Sequence, residues 1–278
     1  MGSLIIRLLT IINTEDIHST NHHIAKTFLK YYDQIKTNSI DEMARLVNVS
    51  KSTLSKFARE IGFDSYIHLK DEAEFSENKY QNKYNYLSNI ESYMTSNDYE
   101  DYFDMIKEDI VRLKDNVHLS AIDRLVEDLI RYEEVAIFGL LFSESAAIDL
   151  QYKLAYNHKF TTTYQDDLKQ EEYIRNADED TLLIILTNSG NFLREQQTSP
   201  GKPPKRYFEH TKAKIFTITS DKNILNLDYV NDALIYFESS GLQTHYILYQ
   251  ILFDLIVTRY RAKVVKINMN ERRNINGT

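Results

Sequence analysis

Apolar and polar positions divide this chain into two parts with different periods. In the first part the apolar side chains recur at helical spacing. Leu4 to Ile12 form one such stretch, and Ile24, Ala25, Phe28, Leu29 and Tyr32 make a stripe that predicts a helix over Asn21 to Gln34. Ser39 followed by Glu42 is a capping-box pattern, which satisfies two backbone amides and predicts a short helix over Ile40 to Leu46. Leu54, Phe57, Ala58 and Ile61 then line a second face, with Ser50 placed to cap that helix and Gly62 to stop it. The sequence FDSYIHLKDEAEF after Gly62 predicts one more helix.

Beyond this helical part the pattern changes twice. From Ser76 to Glu100 aliphatic residues thin out while Asn, Ser, Glu and tyrosines dominate, which predicts a partly helical connector. Two helical patterns follow between Tyr102 and Tyr132. Short continuous apolar runs come next: VAIFG at Val135 to Gly139, LLIIL at Leu182 to Leu186, KIFTIT at Lys214 to Thr219 and ALIYF at Ala233 to Phe237, with a helix predicted over Ser145 to Tyr156. Such runs alternating with helices imply a parallel sheet covered on both faces. The expected fold is therefore α/β overall, an all-α helix-turn-helix domain over residues 1–75, a connector over 76–105 and an α/β/α domain over 106–278.

The stretch SIDEMARLVNVSKSTLSKFAREIG places suitable residues where two crossing helices need them. Ala44 is small enough for a close crossing, and Asn48 tolerates the positive φ of a tight corner. The outward side of the second helix carries Lys51, Ser52, Ser55, Lys56 and Arg59. The expected DNA-facing set is Ser50, Lys51, Ser52, Thr53, Ser55, Lys56 and Arg59. Short hydroxyl groups at the helix start suit base edges, and the cations suit phosphate. A two-helix corner with a solvated basic face also occurs in proteins that never meet DNA, and that alternative stays open on the residues alone.

Charge sharpens the picture. The net charge is −8, which argues against nonspecific coating of nucleic acid, yet Met43 to Arg59 holds only basic charges: Arg45, Lys51, Lys56 and Arg59. There is no cysteine, so disulfides and thiolate zinc sites are excluded. No Walker loop, His-Glu-x-x-His or dinucleotide glycine pattern occurs, and His158, His210, His245 and Glu195 form no catalytic constellation. No catalytic residue, metal site or cofactor is expected. Leu4 to Ile12 is too short to span a bilayer, and no leader pattern precedes it, so a cytoplasmic protein without a membrane partner is expected.

In a parallel sheet, ligands gather beyond the carboxyl ends of the strands. There this chain has Ser143 and Ser145 after the first strand, and Thr187, Asn188, Ser189, Gly190 and Asn191 after the second. Hydroxyls and amides at such turns suit an anion. FGLLFSESAAIDLQYKL resembles the first strand and helix of the sugar-isomerase (SIS) domain, and TNSG resembles the core of its phosphate loop. VNVSKSTLSKFAREIGFDSYIHLK resembles the DNA-binding segment of the RpiR family of phosphosugar-responsive regulators.

The resemblance implies a transcriptional regulator of carbohydrate metabolism that binds double-stranded DNA at an inverted repeat as a homodimer or homotetramer, with a phosphorylated sugar as effector. It also implies that Ser143, Thr187 and Ser189 donate hydroxyls to the sugar phosphate, that Gly190 lets backbone amides approach, and that Asn191 lies beside them. The chain departs from the family in three places. Leu141 stands where a second glycine is common, Phe192 stands where the phosphate loop ends in Thr, and TSPGKPPKRYF at Thr198 to Phe208 interrupts a helix. Two other readings remain: a SIS domain kept only for oligomerisation, and a sugar-phosphate isomerase.

Overall fold

The computed structural model describes residues 3–73, 86–196, 205–237 and 242–276. The first ten residues of the expected connector, 76–85, and the proline-rich stretch up to residue 204 lie outside the described residues. The chain divides into two compact units, one within residues 1–85 and one from residue 86 onwards.

The first unit is all helical: α1 (Ser3–Thr14), α2 (Thr20–Lys30), α3 (Tyr32–Ile35), α4 (Ile40–Val47), α5 (Lys51–Glu60) and α6 (Tyr66–Glu72). The helix expected over Asn21 to Gln34 is two helices, because Tyr31 leaves helical geometry at φ −117, ψ 34. The break re-aims the last turn, and Tyr32 and Ile35 join Ile24, Ala25 and Phe28 in one core. Leu54, Phe57 and Ala58 of α5 close that core, with Phe57 packed edge-on to Phe28 at 5.8 Å between ring centroids.

The second unit begins with α7 (Tyr86–Ser96), α8 (Tyr99–Asn116) and α9 (Leu119–Arg131). It continues through β1 (Glu134–Gly139), α10 (Phe142–Ala155), α11 (Asp167–Asn176), β2 (Thr181–Leu186), α12 (Asn191–Glu195), β3 (Lys214–Thr219), β4 (Asp232–Ile235) and α13 (His245–Asn276). The four strands are parallel in the order β1-β2-β3-β4. Successive side chains of a strand point to opposite faces. Val135, Ile137, Ile184 and Phe216 therefore pack under α9, α10 and α13, while Ala136, Phe138, Ile185 and Ile215 pack against Ile174, Phe192, Leu193 and Phe208. Every residue of β2 is buried, which is why Leu182 to Leu186 form an unbroken apolar run. No helix among the described residues is long and apolar enough to cross a membrane.

After α10 the chain returns to the outer edge of β1, where Thr162 accepts from the Ile137 amide at 2.9 Å and donates to the Val135 carbonyl at 2.8 Å. It then runs through α11 to β2 on the inner edge of β1. Connections from β1 and β2 thus leave in opposite directions, which makes the carboxyl ends of these two strands the topological switch point of the sheet.

Candidate nucleic-acid interface and strand-end loops

The corner between α4 and α5 is built by four polar residues. Ser39 and Glu42 form a complete capping box, the Ser39 amide donating to Glu42 Oε2 at 2.7 Å and the Glu42 amide to Ser39 Oγ at 3.3 Å. Those bonds from Ser39 hold the Glu42 carboxyl below its usual range. Asn48 takes the left-handed conformation at φ 60, ψ 46, as a tight corner requires. Ser50 caps α5, its Oγ accepting from the Thr53 amide at 3.0 Å and bonding the hydroxyls of Ser52 at 2.7 Å and Thr53 at 2.8 Å. These three expected DNA-facing residues form one hydroxyl cluster at the start of α5.

The cations lie along the exposed side. Lys51 pairs with Asp41, and Lys56 pairs with Glu60 at 3.2 Å, all four side chains being at least 41% exposed. Pairs this open contribute about 0–1 kcal/mol, so a phosphate can take their place. Arg59 is exposed, and no described residue pairs with its guanidinium. Ser55 is half-buried one turn before it.

Sequence reasoning passes over two residues that hold this corner together. Arg7 of α1 donates to the Ile61 carbonyl at 2.7 Å, with its guanidinium 4.8 Å from the Phe63 ring centre, and so caps the end of α5 with a cation. His23 of α2 bonds the Val47 carbonyl at the end of α4, Nε2 lying 2.8 Å away. Both contacts join residues far apart in the chain and leave no trace in any periodic pattern.

At the switch point the register Gly139↔Leu186 sets the two strand ends level, so the first turn of α10, with Ser143 and Ser145, and the turn from Thr187 to Asn191 follow adjacent strand ends. Ser143 and Thr187 are buried, whereas Ser145 and Ser189 are exposed. Asn188 anchors the loop to β3: its carbonyl accepts from the Ser220 amide at 3.1 Å, and its Oδ1 accepts from Tyr236 at 2.6 Å. Ser189 Oγ accepts weakly from the Asn191 amide at 3.4 Å. Burial, and then the nearby Asp167, push Glu144 up to about 7, so this residue is divided between acid and carboxylate near neutral pH.

The departures from the family pattern have distinct outcomes. Phe192 packs inward. It is buried in the core at 7% exposure, edge-on to Phe208 at 5.3 Å, because the short helix α12 turns both Phe192 and Leu193 inward. Lys205 pairs with Glu171 at 2.5 Å, and Arg206 lies beside Glu209 at 3.9 Å, so the described cations of the interrupted segment already face carboxylates. Lys202 lies outside the described residues.

Leu141 keeps a backbone that suits glycine, at φ 61, ψ −120. A side chain with a Cβ enters the left-handed region at a cost of about 1–3 kcal/mol. At 37% exposure its packing offsets little of that strain. Leu141→Gly is expected to stabilise the second unit by about 1 kcal/mol, after allowance for the greater unfolded-state entropy of glycine. Urea unfolding is the check, and a lower midpoint would mean that the contacts of Leu141 outweigh its strain.

The histidine that drew notice for catalysis has the surroundings of a core residue. His245 is buried, lies edge-on to Tyr249 at 5.8 Å, and is pushed by burial down to about 4. His158, His210 and Glu195 are exposed.

Residues 6–76 match the helix-turn-helix domain of the rpiR family. The uncharacterized HTH-type transcriptional regulator in the aarA 3′ region of Providencia stuartii is 23% identical over 196 residues, covering 69% of this chain and 67% of that protein. The HTH-type transcriptional regulator HexR of Pseudomonas aeruginosa is 24% identical over 185 residues, covering 63% of this chain and 61% of HexR. Among solved structures, the Vibrio vulnificus NanR protein complexed with ManNAc-6P aligns over 96% of this chain and 98% of its own at 12% identity, with a TM-score of 0.46. The capping box, the left-handed Asn48 corner and the exposed basic side of α5 all fall within the matched segment, and the chain thus carries in residues 6–76 a helix-turn-helix domain of the rpiR family.

Proposed function

We propose that this chain is a DNA-binding transcriptional regulator of carbohydrate metabolism whose grip on its operator is set by a phosphorylated sugar at the strand-end loops of the second unit. The observation that carries the DNA-binding part is the rpiR-type helix-turn-helix at residues 6–76, with Lys51, Lys56 and Arg59 on the open side of α5. Ser52, Thr53 and Ser55 are the base-reading candidates. The effector part is supported by the switch point at the carboxyl ends of β1 and β2 and by the hydroxyl-bearing residues that follow those strands. Ser143, Ser145, Thr187, Ser189, Gly190 and Asn191 are the candidates there, with Asn188 as their anchor to β3.

Two copies bound across a two-fold axis set two α5 helices about one DNA turn apart, which calls for an inverted repeat. The outer side of α10 offers a surface for such pairing, since Tyr152 is 64% exposed and Tyr156 is 87% exposed one turn later. The effector acts only through a difference in its affinity for two arrangements of the subunits.

A thermal-shift panel of sugar phosphates and amino-sugar phosphates, run against their unphosphorylated counterparts on the full chain, tests the effector. A compound that binds only the folded state raises the melting temperature by mass action, about 2.7 kcal/mol of stabilisation at a hundredfold excess over Kd. One phosphorylated sugar is expected to shift the melt and to change affinity for a selected inverted-repeat duplex. A melt indifferent to every phosphorylated compound would reduce the second unit to an assembly module, and turnover of a phosphosugar would make the chain an isomerase.

A further inference from the structure

The Ser189–Gly190 turn already holds an anion of the protein's own. Arg194 of α12 donates from Nη1 to the Ser189 carbonyl at 3.1 Å, and its Nη2 pairs with Asp221 Oδ2. Gly190, at φ +74, is what lets the pair lie there. A Cβ at this position would stand 2.6 Å from Asp221 Oδ2 and closer still to Arg194 Nη1. A guanidinium and a carboxylate therefore cover the part of the turn that a phosphoryl group must reach to meet the backbone at Gly190.

We infer that Arg194 is the anion-binding side chain of these loops and that Asp221 competes with the ligand's phosphoryl group for it. The inference rests on the sugar-phosphate reading above and assigns that reading its charged residue. Arg194 is 35% exposed, so an incoming anion can reach it, whereas the Asp221 side chain is 12% exposed. Asp221 stands in the turn that follows β3, before the short helical turn at Ile224–Asn226, and its neighbours Lys222 and Asn223 are exposed. Its other oxygen, Oδ1, accepts from the Asn223 amide at 3.0 Å, a partner the carboxylate keeps if it leaves Arg194.

Charge decides the direction of the exchange. A phosphoryl group placed on Ser189–Gly190 with Asp221 unmoved meets a carboxylate at close range, and like charges at that distance oppose binding. With Asp221 turned aside, the planar fork of Arg194 offers two parallel donors to phosphate oxygens, which a lysine at the same place does not. Asp221 thus sets the threshold concentration for the effector, and Arg194 supplies the grip.

Calorimetric titration of the full-length chain with inorganic phosphate and with a panel of hexose 6-phosphates tests this. Asp221→Asn keeps the size of the side chain and removes its charge, and is expected to tighten phosphate binding about tenfold, the scale of one charge-assisted hydrogen bond. Arg194→Lys is expected to weaken it by a similar factor, and Arg194→Gln to abolish it. A gain of affinity cannot come from a misfolded variant, so Asp221→Asn decides the matter even where an Arg194 variant is unstable. Wild-type binding that Asp221→Asn leaves unchanged or weaker overturns the competition while the sugar-phosphate site stands. Phosphorylated compounds that bind neither wild type nor Asp221→Asn overturn both.

Discussion

Replacing Lys56 and Arg59 together by alanine is expected to weaken binding to a selected operator duplex by about 10–100-fold near 0.1 M salt and to flatten the salt dependence of log K by about two. The reason is counterion release: each phosphate neutralised by a side chain returns roughly one condensed ion to solution, so removing two contacts removes two units of slope. Their exposure is the reason these two residues are proposed as the phosphate contacts. Both lie on the exposed side of α5, Arg59 faces no carboxylate among the described residues, and Lys56 holds only the open pair with Glu60. Breaking that pair costs at most about 1 kcal/mol, so the variant stays folded and the loss reads on DNA. Fluorescence anisotropy at several salt concentrations measures both quantities. An unchanged affinity with an unchanged slope would take α5 off the phosphate backbone. Ser52→Ala is the contrast: a base-reading hydroxyl alters preference among sequences and leaves the slope alone.

The corner that makes this prediction possible was legible in the sequence because its determinants are local. Ser39 and Glu42, Asn48 and Ser50 each act within four residues of themselves, and the structure forms the cap, the left-handed corner and the second cap that they specify. The sheet was legible for a related reason, since strands buried on both faces are mostly apolar, as Leu182 to Leu186 of β2 are. Legibility ended where contacts join distant parts of the chain. The break at Tyr31 follows from the packing of Tyr32 and Ile35 into a shared core, which a uniform helical stripe does not reveal. Arg7 on the end of α5, His23 on the end of α4 and Asp221 on Arg194 are all polar contacts between separate elements. Phe192 shows the same limit: its bulk was visible beside the phosphate loop, but its direction was fixed by Phe208, which lies beyond the proline-rich stretch.

Gly139→Ala is expected to destabilise the second unit by about 2–3 kcal/mol, the cost of forcing extra volume into a close-packed site. The backbone at the end of β1 approaches the first turn of α10 so closely that a Cβ on Gly139 would lie 2.7 Å from the carbonyl carbon of Ser143 and 2.8 Å from its oxygen. Backbone cannot swing aside as the tip of a side chain can, so α10 must move off the strand. That movement also strains a buried tie, because Gln170 Nε2 bonds the Gly139 carbonyl at 3.0 Å and the Tyr164 carbonyl at 2.7 Å. At roughly 2–4 °C per kcal/mol for a unit of this size, the melting temperature falls by about 5–10 °C. The same displacement carries Ser143 and Ser145 away from the loop after β2, so any shift produced by a phosphorylated sugar shrinks along with the stability. Two residues later the sign reverses, since Leu141 already holds a backbone that glycine adopts without strain. If Gly139→Ala melted with the wild type while Leu141→Gly gained nothing, the first turn of α10 would be too loose to position a ligand. Opposite shifts from the two substitutions would establish a stiff first loop, which a site for a small phosphorylated molecule needs before any of its hydroxyls can be counted.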